Sequence, residues 1–261
     1  METVSILMAA YNAEKTIGAA VSSVLAQTWK DWALIVVDDG SSDRTPAILE
    51  ELQRSDDRIR LYRNEVNSGV SVTRYRALQE ARGEWVAILD SDDMWKPDKL
   101  EKQMALQKRT GGDVFFTGSG FMTADGTPID WYFPAPETVD YKTLLRQNVM
   151  SNSSVLVRRQ LYAENYSHGD EMHEDFAVWL RLLRSGRIAY GINEPLLIYR
   201  LSDSSKTGDK RRAARMNWNT YRYVGLGWLP AVYYMSWYTV NGLKKHASLR
   251  RARLRAEGGH G

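Results

Sequence analysis

Four short apolar runs, Val4 to Ala10, Ala33 to Val37, Arg58 to Tyr62 and Trp85 to Leu89, alternate with helix-period segments at the head of this 261-residue chain. Each run is too short for a helix and is bounded by turn or polar residues, the pattern of a buried strand. Between them Ile17, Val21, Val24 and Leu25 share one helical face, Ile48 and Leu52 another, and Val70, Tyr75 and Leu78 belong to a third segment. Thr45 followed by Pro46 reads as an N-cap and first helical turn. Strands alternating with helices of this length predict an α/β fold with a parallel sheet covered on both faces. Such a sheet binds ligands beyond the carboxyl ends of its strands.

The pattern changes after a helix that starts near Pro97 and runs to about Lys108. Val114 to Thr117 and Ile129 to Phe133 flank Asp125-Gly126, the chemistry of a hairpin turn. Ser153 to Val157 reads as a further strand, and Phe176, Trp179, Leu180 and Leu183 fall at helical spacing on a segment beginning near His173. Residues 1–110 and 111–210 are therefore expected to be two halves of one domain sharing one sheet, with 211–261 as a C-terminal helical tail.

The strand ends carry the chemistry. Tyr11-Asn12, Asp38-Asp39-Gly40 and Asp90-Ser91-Asp92-Asp93 follow the first, second and fourth runs and are expected to converge on one edge. Carboxylates buried together are costly without a cation or hydrogen-bond donors, so the acids of Asp90 to Asp93 suggest a site for a hard metal, Mg²⁺ or Mn²⁺. For Asp38-Asp39 alone, capping of a turn is the better reading. No Gly-x-Gly-x-x-Gly follows the first strand and no P-loop motif occurs, which argues against dinucleotide oxidoreductases and P-loop enzymes. Tyr11 either stacks on a base or packs on the second helix. Arg74 either adds charge beside a diphosphate or is a surface arginine. His173-Glu174-Asp175 opens a helix, where acids favour the dipole, and an acid so placed is also able to serve as a base in a cleft.

Val4-Ser-Ile-Leu-Met-Ala-Ala-Tyr-Asn, Val36-Val-Asp-Asp-Gly-Ser-Ser-Asp, Gly83-Glu-Trp-Val-Ala-Ile-Leu-Asp-Ser-Asp-Asp, and Glu174-Asp175 before Trp179-Leu-Arg-Leu occur in an order that resembles family 2 glycosyltransferases of the GT-A fold. The resemblance spans roughly residues 3 to 207. It implies a Rossmann-like, mostly parallel sheet, with 1–110 the nucleotide-sugar-binding half and 111–210 the acceptor-binding half. It also implies an inverting transfer from a nucleoside diphosphate sugar, UDP-linked at the level of the family, to a glycan or lipid-linked saccharide acceptor in surface polysaccharide biosynthesis. The residues alone leave uracil, thymine and guanine open. By the same resemblance Ala10, Tyr11, Asp39, Arg74, Asp90 and Asp92 serve the donor, with Tyr11 and Asp39 at the base. Asp92 and Asp93 serve the metal, Ser153, Trp95 and Glu174 serve the sugar or acceptor, and Asp175 is the catalytic base. Where many relatives carry a metal-binding histidine after Tyr199-Arg200, this chain has Ser202, with Asp203 beside it. A hydroxyl is a poorer ligand than imidazole. The competing readings are a nucleotidyltransferase, which would normally show a Gly-rich loop with a basic residue after the first strand, and a sugar-nucleotide or glycan binding protein without catalysis.

Charge and composition bear on partners. The net charge is +3, and Lys244 to Arg255 carries six Lys or Arg without an acid, so removing those six leaves −3 for the remainder. A nucleic-acid binder spreads its basic residues over the folded body, so no nucleic acid is expected. The chain has no cysteine and opens on a strand without a secretory leader, which predicts a cytoplasmic location. Residues 223 to 243 hold no charged residue but are rich in Trp and Tyr, with Pro230 and few Leu or Ile. Tyr and Trp favour the membrane interface, and the basic cluster that follows favours anionic headgroups. The tail is read either as a peripheral attachment to the inner face of the cell membrane or as a helical pair packed on the core, with a dimer contact as a third reading.

Overall fold

The computed structural model describes residues 3–169, 171–201 and 210–258. Among them one sheet of ten strands runs through the molecule. The strands are β1 (Val4–Ala10), β2 (Trp32–Asp38), β3 (Ile59–Arg63), β4 (Trp85–Ile88), β5 (Met94–Trp95), β6 (Val114–Met122), β7 (Pro128–Phe133), β8 (Thr138–Val139), β9 (Leu156–Arg158) and β10 (Ala189–Arg200). The helices are α1 (Ile17–Leu25), α2 (Thr45–Ser55), α3 (Val70–Glu80), α4 (Lys99–Thr110), α5 (Tyr141–Arg146), α6 (Arg159–Asn165), α7 (Glu174–Arg184), α8 (Lys210–Tyr223) and α9 (Trp228–Gly258).

The expected parallel half is present, with β3, β2, β1 and β4 adjacent and parallel. The second half is more mixed than the strand-helix alternation predicts. β9 inserts antiparallel between β4 and β6, β10 runs parallel to β6, and β5, β7 and β8 add antiparallel edges. The reason lies in the connections: β7 returns from β6 through the Asp125-Gly126 turn, where Gly126 takes a φ of +94°, and a short hairpin enforces antiparallel pairing. The two halves share the sheet, as expected.

Alternation of side chains along β1 divides the core. Val4, Ile6 and Met8 face a cluster built on α1, α2 and α4, whereas Leu7 faces one built on α3, α5, α7 and the C-terminal helices. Burying both faces explains why β1 and β2 are continuously apolar. Thr45 is the first residue of α2, not its cap; its hydroxyl instead accepts the backbone N–H of Ala13 at 2.8 Å, tying α2 to the loop after β1. Thr138 and Val139 at the edge lead into α5, whose Asp140 cap accepts Thr143 N–H at 2.7 Å.

The tail forms two helices, and one side of each packs on the core. Tyr221, Val224 and Ala231 are buried in the same cluster as α7, and Tyr234, Met235 and Tyr238 pack against it. Among the described residues no helix is long and apolar enough to cross a membrane.

Candidate active site

The parallel register of β1 on β2 places Ala10 opposite Asp38, so both strands end at the same level. Ala10 is buried, and its carbonyl accepts Asp39 N–H at 2.8 Å. Tyr11 follows at the tip with 50 % of its surface exposed and is free to stack. Asn12 holds this turn in the left-handed region, φ +46°; its side-chain oxygen accepts Ser42 N–H and its own N–H donates to Ser41 Oγ, each at 2.9 Å.

Asp39 is buried, and three donors converge on its carboxylate: Asn64 Nδ2 at 2.7 Å and the backbone N–H groups of Ser68 and Gly69, each at 2.9 Å. The turn-capping reading of this acid therefore describes its contacts in the free protein. Gly69 sits at φ +86°, and a Cβ on nearby Gly40 would meet the backbone of Val66 at 3.0 Å, so glycines let this loop close on Asp39.

Beyond β4 the loop of Asp90 to Asp93 is held from three sides. The Ser153 hydroxyl accepts Asp90 N–H at 3.1 Å. Arg200, at the end of β10, donates its backbone N–H to Asp93 Oδ1 and its Nε to the Asp92 carbonyl, each at 3.0 Å. The turn over Asn152–Ser154 is fixed in turn by Trp95 Nε1 donating to the Ser153 carbonyl at 2.7 Å and Gln103 Nε2 donating to that of Ser154 at 2.9 Å. Lys99 completes this support, fully buried with Nζ 2.9 Å from Gln103 Oε1 and 3.9 Å from the centre of the Trp95 ring; burial pushes its pKa well down. Trp95, expected to touch the sugar or acceptor, is only 3 % exposed with its indole N–H bonded, and in this structure it props Ser153.

Arg74 is the hinge of the site. Expected beside the diphosphate or at the surface, it is 4 % exposed, with one terminal nitrogen 2.8 Å from Asp90 and the other 3.0 Å from Glu174. Its surface reading is thereby corrected: the guanidinium is buried because two carboxylates face it. Glu174, expected to meet sugar or acceptor, is engaged by this pair. The bridge brings the start of α7, and with it Asp175, to the edge where β1, β2 and β4 end.

The start of α7 is secured from the tail. His173 N–H donates to Thr220 Oγ1 at 3.1 Å, and Asn219 Nδ2 donates to the Glu171 carbonyl at 2.8 Å. Phe176 meets Tyr221 and Tyr238 edge-on or tilted, with ring centres 5.9 and 5.8 Å apart. Burial and then the charge of Asp175 raise the Tyr238 phenol, so α9 lies within electrostatic reach of the acid.

The electrostatics follow from this crowding. Burial, and then the charge of Glu174, push Asp175 up to about 7, a value suited to accepting a proton near neutrality. Burial and Asp90 push Asp92 up to about 6. Asp93, 1 % exposed, is raised well above the usual carboxylate range by burial and by Asp92 and Asp90. Its Oδ2 is buried without a hydrogen-bond partner, an oxygen that fits a cation. Among the described residues no three His, Asp or Glu side chains are grouped as a metal cage. Ser202 and Asp203, the positions in question for a further ligand, lie outside the described residues.

Sequence reasoning found the strand-end acids and the α7 start but not their partners. Asn64, Ser68, Gln103 and Thr220 carry no local signal, since each acts through a contact far along the chain, whereas Lys99 meets Trp95 and Gln103 one helical turn to either side.

The sequence profile of glycosyl transferase family 2 matches residues 5–160, which hold the β1, β2 and β4 ends. The chain belongs to glycosyl transferase family 2. This transferase is 39 % identical over 243 residues, 93 % of its length and 96 % of the relative's, to TuaG of Bacillus subtilis, whose name places it among teichuronic acid biosynthesis glycosyltransferases. It is 36 % identical over 246 residues, 94 % of its own length and 95 % of the relative's, to the Escherichia coli UDP-Glc:alpha-D-GlcNAc-diphosphoundecaprenol beta-1,3-glucosyltransferase WfgD. Its fold is similar to that of TarS residues 1–349 from S. aureus in complex with UDP-GlcNAc, with a TM-score of 0.70 and 20 % identity over 86 % of this chain; the likeness spans 65 % of the TarS chain. It is also similar to the mannosyltransferase PcManGT of Pyrobaculum calidifontis in complex with GDP-Man and Mn²⁺, with a TM-score of 0.68 and 15 % identity, covering 90 % of this chain and 68 % of that one. The transferase thus has the GT-A fold, an α/β sheet with helices on both faces and C-terminal helices added.

Proposed function

We propose that this glycosyltransferase moves a sugar from a UDP-sugar to a hydroxyl of a lipid-linked saccharide, with inversion, during assembly of a surface polysaccharide. The observation that carries the reading is the Arg74 bridge, which sets a carboxylate tuned to about 7, Asp175, beside the acid-bearing end of β4. The uridine donor and the lipid-linked acceptor are supported by the names of TarS and WfgD, the latter similar along nearly its whole length.

In this reading Tyr11 stacks on the base above the loop that Asp39 closes. Asp92 and Asp93 would hold Mg²⁺ or Mn²⁺, and the buried, unpartnered Asp93 Oδ2 favours this. Such a cation would supply positive charge for the leaving diphosphate. Asp175 takes the acceptor hydroxyl proton as that oxygen bonds to the anomeric carbon and the bond from that carbon to the diphosphate oxygen breaks. Arg74 pairs with both Glu174 and Asp90 and so fixes where the start of α7 stands, while the charge of Glu174 still reaches Asp175 and raises its pKa.

The test is transfer to a GlcNAc-diphospholipid acceptor from radiolabelled UDP-, dTDP- and GDP-sugars in Mn²⁺ or Mg²⁺, with product configuration read by NMR. Product from a UDP-sugar with inverted anomeric configuration is expected. Retention, or transfer from GDP-sugars alone, overturns the reading.

A further inference from the structure

The helix α9 has two apolar faces, and the core uses one. Ala231, Tyr234, Met235 and Tyr238 point inward, and Lys245 on the same side lies over the Phe133 ring with Nζ 4.0 Å from its centre. The opposite side presents Leu229, Val232, Tyr233, Trp237, Val240 and Leu243, all exposed; Leu229 is 73 %, Leu243 61 % and Trp237 43 % exposed. At 100° per residue these six fall within an arc of about 140° and run for about 21 Å along the helix. Among the described residues the Arg146 guanidinium, 5.9 Å from the centre of the Trp237 ring, borders this face at one edge, and the six side chains stay exposed. A monomer in water does not gain by such a stripe, and stripes of this kind mark interaction surfaces.

We propose that this outer face of α9 docks on an anionic lipid surface. Charge selects that occupant. Lys244, Arg250 and Arg251 continue the same arc beyond Leu243, so the apolar stripe ends in cations on the same side of the helix. From residue 210 to residue 256 the sequence holds no Asp or Glu. Pairing of two copies along this face, in either direction, therefore finds no carboxylate for these cations, whereas an anionic headgroup layer neutralises them. Trp237 and Tyr233 are the side chains that favour the headgroup boundary, and among the described residues no helix is long and apolar enough to cross a bilayer, so the helix would lie along it. The docking needs neither donor nor acceptor and does not depend on the assigned reaction.

The experiment is flotation of the full chain with vesicles of phosphatidylcholine alone and of phosphatidylcholine with phosphatidylglycerol. It is run with wild type, with a Trp237→Ser/Val240→Ser variant, and with a Lys244→Glu/Arg250→Glu/Arg251→Glu variant. Flotation with the mixed vesicles, at least tenfold weaker with neutral vesicles and in either variant, is expected. Equal flotation of the wild type and both variants, or none by wild type, overturns the proposal. A wild-type dimer in light scattering that the Trp237→Ser/Val240→Ser change dissociates, with no flotation, overturns it in favour of a second copy. Circular dichroism verifies folding, and the charge variant, confined to exposed positions, keeps the test valid if the apolar one misfolds. Transfer to a water-soluble acceptor is expected to be unchanged in both variants, which separates failure of docking from failure of the assigned reaction.

Discussion

Arg74 and Glu174, one hundred positions apart in the sequence, meet at 3.0 Å, and the same guanidinium holds Asp90 at 2.8 Å. The helix that carries Asp175 and the acid-bearing strand end are joined by that one buried side chain. Arg74→Met is expected to lower kcat about 100-fold or more and to cost about 3–5 kcal/mol of stability, because two carboxylates lose their counter-charge. Denaturant unfolding and steady-state kinetics check it. A double variant, Arg74→Met/Glu174→Gln, is expected to regain part of the stability but little of the activity.

Asp175→Asn is expected to lower kcat by about 10²- to 10⁴-fold while leaving UDP affinity within a few-fold. In wild type, kcat is expected to rise with pH through about 7 and then level off as Asp175 loses its proton. The same shift fixes the sign of a stability effect. The folded pKa lies above the unfolded value of 3.8, so the acid's stabilising contribution is whole below about pH 4 and is lost as pH climbs through 7. The asparagine variant is therefore expected to gain roughly 1–3 kcal/mol on wild type at pH 8 relative to pH 4, read from thermal melts at both pH values.

Calorimetric titration of UDP with and without Mn²⁺ tests the cation site. Changing Asp92 and Asp93 both to Ala is expected to abolish the Mn²⁺-dependent part of binding. Asp93→Asn alone is expected to weaken it at least tenfold while raising the melting temperature without metal, since the buried Oδ2 has no partner to lose.

Asp39→Ala strips the acceptor from Asn64 and from the N–H groups of Ser68 and Gly69. The expected cost is about 1–3 kcal/mol with faster exchange of the Ser68 and Gly69 amides. UDP affinity is expected to fall at least tenfold, because the loop beside Tyr11 opens.

Much of the framework was legible because it is periodic. Runs such as Val4 to Ala10 and the spacing of Phe176, Trp179, Leu180 and Leu183 reflect geometry within a few residues, and the strand-end acids followed from them. Contacts of long sequence separation leave no such trace. Asp39 reads as a turn acid or a base ligand, and only the return of residues 64 to 69 shows what fills its oxygens. Trp95 reads as an aromatic beside an acid cluster, yet its partner is Ser153, far along the chain. β9 reads as a strand, but its insertion between β4 and β6 is decided by packing. For α9, composition announced the aromatic residues, while their division into inner and outer faces required knowing which side meets the core.

The profile match ends at residue 160, and the acid proposed as base stands at 175, on a helix steadied by Thr220 and Asn219. The ion pair from Arg74 to Glu174 therefore ties the segment that the profile covers to the portion beyond it. A chimera that grafts the C-terminal third of one relative onto the N-terminal part of another has to preserve this electrostatic latch, along with the sheet's packing, to remain an enzyme.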